Sequence, residues 1–245
     1  MAQPDESRRD FLGKAGGVAA AVTLGPAAVG AAIADAAKKK DRGRRFPHPK
    51  NPQQALSLLV KGNRRYQKGK LQLRDYSPVG EDRASKQMPF AAIITCADSR
   101  ISPTLIFDVE RGNIFVSKVA GNSIDTGTLG STEYAVKVLG VKLVLVMGHS
   151  DCGAVKAAIG VANGTASYPP DKYGAIGAFV DKIVPSVQGV PPDQRDLPTC
   201  VAANARAQAA DIASRGPIVS QAVAAGQIAV VPAVYKIQSG KVTLL

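Results

Sequence analysis

The sequence of 245 residues contains no tryptophan, few phenylalanines and tyrosines, and only two histidines. With so few aromatic side chains, we expect the core to consist mainly of Val, Ile, Leu and Ala. Hydrophobic residues still make up 45% of the chain and charged residues 20%, a composition that is ordinary for a globular protein and excludes extensive disorder. The length suits a single α/β domain.

Cysteine is also scarce. Three cysteines cannot all pair with one another, and the spacing of Cys96, Cys152 and Cys200 is not that of a disulfide framework. Metal binding by two of them explains the odd number better than oxidation does. Cys200 falls in a predicted helix without an accompanying motif, so we expect it to be a buried thiol.

Acidic residues are outnumbered, with 19 Asp and Glu against 31 Lys and Arg, which gives a formal net charge of +12. Much of this excess lies in residues 35–50, which contain seven basic residues: Lys38, Lys39, Lys40, Arg42, Arg44, Arg45 and Lys50. Basic clusters can bind nucleic acids, but no nucleic-acid-binding motif accompanies this one. A charged run flanked by Gly and Pro is typical of a solvated linker, so we predict a basic linker and no nucleic-acid partner.

Residues 1–34 have the pattern of a secretory signal. Two adjacent arginines, Arg8 and Arg9, precede an apolar stretch rich in Ala, Gly and Val, and small residues allow cleavage after Ala34 or Ala36. The paired arginines resemble a twin-arginine signal, which directs export of folded proteins. The stretch is long enough to anchor the chain in a membrane, but it lacks the Leu and Ile typical of such anchors. We therefore predict an exported protein, periplasmic or extracellular, that meets the membrane only during export.

Residues 51–245 alternate between apolar runs and helical patterns and form the main predicted domain. The apolar runs are continuous, which predicts strands buried on both faces, as in a parallel sheet. Strands are predicted at 91–95, 114–119, 143–147 and 228–231, and helices at 53–68, 131–139, 154–161, 175–187 and 201–214. This alternation predicts an α/β fold with a mainly parallel central sheet flanked by helices. Two last segments, 234–237 and 242–245, predict a C-terminal hairpin at the sheet edge.

Three metal-ligating residues follow predicted strands. In sheets of this type, sites form beyond the carboxyl ends of the strands. Cys96 comes directly after the first run, His149 after the third, and Cys152 one short turn later. If the two strands are neighbours, two thiolates and one imidazole meet, a set that suits tetrahedral Zn²⁺ and leaves a fourth position for water. Asp98 could take that fourth position itself, or act on the water there.

The motifs Cys-Ala-Asp-Ser-Arg at 96–100 and His-Ser-Asp-Cys-Gly-Ala at 149–154 resemble those of the β-carbonic anhydrase family. The likeness extends over residues 55–245. It implies one zinc ion per chain on the two cysteines and the histidine named above, and an ion pair between Asp98 and Arg100. It also implies the reversible hydration of carbon dioxide to bicarbonate and a proton.

The resemblance further implies a narrow substrate pocket that Gln87, Phe115 and Gly153 touch, with Gln87 supplied by a neighbouring subunit of a homodimer or homotetramer. Family members regulated by bicarbonate at a second site carry a Trp three residues before the first ligand, and an Arg further on. These positions are Ile93 and Lys118 here, so this regulation is not expected. Two alternatives use the same residues: hydrolysis of carbon disulfide or carbonyl sulfide, and zinc binding without turnover.

Overall fold

The computed structural model describes residues 47–72 and 87–245, and five strands in these ranges form one sheet. The strands are β1 (Ala91–Thr95), β2 (Ile114–Lys118), β3 (Leu143–His149), β4 (Ala229–Lys236) and β5 (Lys241–Leu244). Their order is β2-β1-β3-β4-β5; the first four run parallel, and β5 is antiparallel to β4. The predicted α/β fold is confirmed.

Helices connect the strands and cover both faces of the sheet. They are α1 (Pro52–Gln67), α2 (Pro103–Ile106), α3 (Thr126–Lys137), α4 (Gly153–Ala162), α5 (Pro170–Tyr173), α6 (Ile176–Gln188), α7 (Leu197–Ser214) and α8 (Pro217–Ala224). Among the described residues, no helix has both the length and the apolar character needed to cross a membrane. The predicted signal segment and most of the basic linker lie outside the described residues.

The central strands are apolar without alternation because both of their faces are covered. Ile93 and Leu145 point to the face covered by α1 and α2. Their neighbours Ile94 and Val146 point to the face covered by α3, α7 and α8. Every residue of β1 and β3 is therefore buried, as expected for a doubly covered parallel sheet.

The predicted C-terminal hairpin is confirmed, since β5 pairs antiparallel with β4, but its first strand begins earlier than the sequence predicts. The segments predicted as separate strands at 228–231 and 234–237 form one strand, β4, which continues through Pro232. The Pro232 carbonyl accepts a hydrogen bond from Leu245 N at 3.0 Å. Because a residue's N and O point to the same side of an antiparallel pair, the proline nitrogen faces away from β3. The missing N–H therefore leaves the β3–β4 ladder intact.

Helix α1 lies unusually close to the loop before β2. An added Cβ at Gly62 would lie 1.7 Å from Phe107 O, so only glycine fits at this crossing. The next residue, Asn63, is buried and donates to Ile106 O at 3.1 Å and to Gly240 O at 2.8 Å. These contacts fix α1 against both α2 and the turn between β4 and β5.

Candidate metal centre

The site lies where the chain changes direction across the sheet. From β1 the chain crosses to β2 on one side, and then returns past β1 to β3 on the other. The carboxyl ends of β1 and β3 therefore border a crevice, the usual place for a site in such sheets. Thr95 Oγ1 donates to Met147 O at 2.9 Å and ties the two strand ends together.

Cys96, His149 and Cys152 converge in this crevice. Cys96 is the first residue after β1, and His149 is the last residue of β3. A turn through Asp151, whose φ of 61° is left-handed, brings Cys152 back to the start of α4. The three potential ligand atoms lie within 4.8 Å of one another, and the three residues are 6%, 0% and 2% exposed. Ligand atoms around tetrahedral zinc are about 3.6–3.8 Å apart, so a small contraction would suit the ion.

The imidazole of His149 presents an unused nitrogen to this cluster. Its Nδ1 lies 2.9 Å from Ser150 O. A carbonyl oxygen only accepts, so Nδ1 carries the hydrogen, and in the neutral imidazole that a metal requires Nε2 carries the lone pair. Nε2 is buried and has no hydrogen-bond partner within the part of the chain that the structure describes. A buried unpaired acceptor is costly, and a metal ion would satisfy it.

The two sulfurs also suit a cation. A hydrogen bond from the Cys152 thiol lowers the pKa of Cys96. The same pairing, together with burial, raises the pKa of Cys152. Two adjacent buried sulfurs thus retain one proton between them, which a divalent cation would displace. The donor set therefore fits zinc.

Asp98 and Arg100 form a bidentate ion pair beside the cluster. Arg100 Nε donates to Asp98 Oδ1 at 3.0 Å, and a terminal guanidinium nitrogen donates to Oδ2 at 2.7 Å. The Arg100 guanidinium holds the pKa of Asp98 well below its usual range. Asp98 Oδ2 lies 3.9 Å from His149 Nε2, so an ionised carboxylate borders the three ligand atoms.

The other predicted site residues divide into two groups. Gly153 is the first residue of α4, next to Cys152, and a Cβ placed there would meet open space. Gln87 is exposed and precedes β1, at the opposite end of the sheet. Phe115 is level with Ala92 and packs against Tyr134 of α3, with ring centroids 6.4 Å apart. The structure thus does not bring Gln87 or Phe115 to the cluster of the same chain.

Sequence reasoning missed two contacts that support the site. Lys118 Nζ donates to Asp98 O at 3.1 Å and to Ile101 O at 2.8 Å, and so holds the loop that carries Asp98. Gly121 N donates to Cys96 Sγ at 3.3 Å. The only sequence signal was the position of these residues at and just beyond the end of β2, level with the end of β1.

A buried Cys–His–Cys cluster beside an arginine-held carboxylate, at the switch point of a parallel sheet, defines an α/β protein with a candidate metal site. The family model described as carbonic anhydrase matches residues 91–242. The chain belongs to the β-carbonic anhydrase family, and it is an enzyme of the carbonic anhydrase type.

Named relatives agree with this assignment. Carbonic anhydrase 2 of Mycobacterium tuberculosis is 36% identical over 205 residues, which cover 79% of this chain and 93% of the relative. A carbonic anhydrase of Pseudomonas aeruginosa is 31% identical over 198 residues, covering 76% of this chain and 86% of the relative. The solved structure of Coccomyxa β-carbonic anhydrase in complex with acetazolamide is similar, with a TM-score of 0.58, 26% identity, and coverage of 92% of this chain and 87% of that one.

Proposed function

We propose that this chain catalyses the reversible hydration of carbon dioxide to bicarbonate and a proton, with one zinc ion held by Cys96, His149 and Cys152. The observation that carries the proposal is the pairing of three buried, converging donors with the ionised Asp98 beside them. Similarity to proteins named carbonic anhydrase supports the same reaction. No observation favours carbon disulfide or carbonyl sulfide as the substrate.

Each residue of the site has a separate role in the proposed reaction. When bound, zinc would act as a Lewis acid that lowers the pKa of a water molecule in its fourth position. His149 is held in one orientation by its Nδ1–H bond to Ser150 O, and Ser150 is held in turn by bonds to Tyr235 O and Ile237 N. Such outer contacts keep a ligand aimed at its metal.

Asp98 would orient the reacting water. Because Arg100 keeps its carboxylate ionised, Asp98 can only accept a hydrogen bond, and it stays an acceptor over the whole working pH range. Accepting from the water would fix the direction of the oxygen lone pair that attacks carbon dioxide. The very low pKa also means that Asp98 does not store the released proton.

The substrate pocket is proposed to need a second subunit. Gly153 leaves open space next to Cys152, which suits a small linear substrate. Gln87 and Phe115 lie away from the cluster of their own chain, so we propose that those of a neighbouring subunit complete the pocket in a homodimer or homotetramer. The Gln87 amide would then donate to a substrate oxygen as negative charge develops there.

Export of the protein is proposed on sequence grounds alone. Arg8 and Arg9, the Ala/Gly/Val-rich stretch and the small residues near Ala34 and Ala36 together support a twin-arginine signal. The mature protein would then act in the periplasm or outside the cell. Export after folding would let zinc bind before the thiols enter an oxidising compartment.

One experiment tests the reaction. The mature protein, purified without its signal, should contain about one zinc per chain and accelerate carbon dioxide hydration in a stopped-flow assay. The same preparation should be assayed with carbon disulfide and carbonyl sulfide. Zinc-loaded protein that hydrolyses either sulfur compound but does not hydrate carbon dioxide would overturn the proposed substrate. Zinc-loaded protein inert toward all three would overturn catalysis.

A further inference from the structure

Helix α7 buries two amide side chains that the proposed mechanism does not use. Asn204 is fully buried and Gln208 is 6% exposed, in a helix otherwise rich in alanine. Burying an amide costs free energy unless its polar atoms find partners. The partners of these two amides therefore indicate what they do.

Both amides bind the same short segment, the turn at residues 120–124 that follows β2. Asn204 Nδ2 donates to Gly121 O at 2.8 Å, and Gln208 Oε1 accepts from Ile124 N at 2.8 Å. The two side chains are also joined, since Gln208 Nε2 donates to Asn204 Oδ1 at 3.3 Å and to Lys182 O at 3.2 Å. The pair thus holds the turn near both of its ends.

This turn touches the metal centre at one point. Gly121 N donates to Cys96 Sγ at 3.3 Å, and Gly121 has a left-handed φ of 63°. An added Cβ would lie 2.3 Å from Ile183 Cδ1, so the turn is pressed against α6 as well as bound to α7. The direction of the N–H group toward the sulfur therefore depends on how the turn is held.

We propose that Asn204 and Gln208 are positioning residues for Cys96. They fix the 120–124 turn so that the Gly121 N–H points at the sulfur, which limits the directions the thiolate can take and withdraws some of its charge. The inference rests on the proposed function, in which Cys96 binds zinc. Removing an outer contact of this kind typically weakens metal binding about 10–100-fold.

Two variants of nearly unchanged shape test the proposal. Asn204→Leu removes all three hydrogen bonds of the amide, including the one that Ser186 Oγ donates to Asn204 Oδ1 at 3.3 Å. Asn204→Asp keeps the acceptor used by Gln208 but places an oxygen against Gly121 O, so it breaks only the link to the turn. The control is Ile212→Val, which trims a buried side chain of the same helix but keeps the hydrogen bonds of Asn204 and Gln208 to the turn.

The readouts are zinc retention against a competing chelator, and the absorption band that cobalt(II) shows when thiolates bind it. We expect both Asn204 variants to hold zinc about tenfold or more weakly and to shift the cobalt–thiolate band, while Ile212→Val matches the wild type in both. If Asn204→Leu does not fold, Asn204→Asp decides alone. If neither variant folds, Gln208→Met, which removes the acceptor for Ile124 N, should show the same weakening.

Unchanged zinc retention and an unchanged cobalt band in a folded Asn204 variant would overturn the positioning role and leave the pair as a purely structural element. Equally weakened zinc retention in Ile212→Val would also overturn the positioning role. This failure is distinct from failure of the proposed function, which would show as absent zinc or absent turnover in the wild-type protein itself.

Discussion

Asp98 has two candidate partners, a metal ion in the cluster and the Arg100 guanidinium, and the structure shows it bound to Arg100 through both carboxylate oxygens. Removing the guanidinium should free Asp98 to take the fourth zinc position. We therefore expect Arg100→Ala to keep its zinc but lose activity on the order of a hundredfold or more. Zinc analysis alongside stopped-flow turnover would measure both.

Two comparisons sharpen this prediction. Asp98→Ala should also keep zinc, but its fourth position stays open, so it should still bind azide or thiocyanate where Arg100→Ala binds them poorly. Asp151→Asn is the matched control, because it removes the carboxylate 3.7 Å from Arg100 and Asn tolerates the left-handed backbone there. Near-normal turnover in Arg100→Ala would contradict the proposed gating of the fourth position.

The ligand assignment makes its own prediction. Cys96→Ser, His149→Ala and Cys152→Ser should each lose most of the zinc, because each removes one of three protein donors. Cys200→Ser should retain it, since that thiol is buried on α7 and lies outside the three-residue cluster. Metal analysis of the four purified variants is the measurement, and full zinc content in any of the first three would reassign that ligand.

The sequence predicted these ligands because Cys96 and His149 follow apolar runs, with Cys152 one short turn later, and residues after parallel strands share one edge of the sheet. It could not predict Asn204 or Gln208, since their partners depend on which side of α7 meets the 120–124 turn. Nor does any local pattern show that Lys118 reaches across to Asp98 O. Gln87 and Phe115 were named by resemblance, and one chain alone does not place them at the cluster.

At the scale of elements, the close approach of α1 to Phe107 predicts that two Gly→Ala substitutions change the free energy of unfolding in opposite directions. Gly→Ala within a helix normally stabilises by about 1 kcal/mol, and Gly130 of α3 has open space for the extra methyl group. Gly62→Ala should instead destabilise by about 3 kcal/mol or more, because its Cβ meets the backbone oxygen of Phe107. Urea unfolding of both variants checks the signs; a stabilised Gly62→Ala would mean that α1 sits farther from this loop.

The cap at the start of α3 predicts a pH-dependent contribution to the free energy of unfolding. Asp125 Oδ1 accepts from Thr128 N at 2.6 Å, and this bond lowers the pKa of Asp125. Because the folded pKa is below the unfolded one, the stabilisation is complete above the usual Asp pKa and is lost as pH falls through the lowered value. Asp125→Ala should lower the free energy of unfolding by about 1 kcal/mol at neutral pH.

Asp125→Asn is the control for that effect. It keeps an oxygen acceptor for Thr128 N but does not titrate. Any excess in the free energy of unfolding of the wild type over Asp125→Asn should therefore shrink below about pH 4. Urea unfolding near neutral pH and at about pH 3 would compare the two. A constant difference across that range would show that the Asp125 charge does not contribute.

Element boundaries were less predictable than element types. Helix α3 begins at Thr126 rather than 131, because its first turn is defined by the Asp125 cap and carries no apolar periodicity. Helix α8 was missed, since it is short and begins with a proline directly after a glycine. Strand β4 was divided at Pro232 because the sequence does not show that its nitrogen faces away from β3.

At the scale of the whole molecule, the proposed export signal can be tested independently of the site. Replacing Arg8 and Arg9 together with Lys keeps the charge but removes the residue type that a twin-arginine receptor reads. We expect the full-length precursor to accumulate in the cytoplasm, as measured by fractionation and by the size of the protein. Normal export of this variant would indicate another route, whereas a Lys14→Arg variant should export normally.

The buried position of the cluster has a consequence for how the metal leaves. Its ligands are at most 6% exposed and come from two strand ends that Thr95 Oγ1 joins. An ion held by these three ligands would leave only when the ligands move apart, and such local opening is rarer than fluctuation of exposed loops. For the zinc proposed here, the rate of exchange with isotopically labelled zinc would therefore measure how often the ligands at the carboxyl ends of β1 and β3 part.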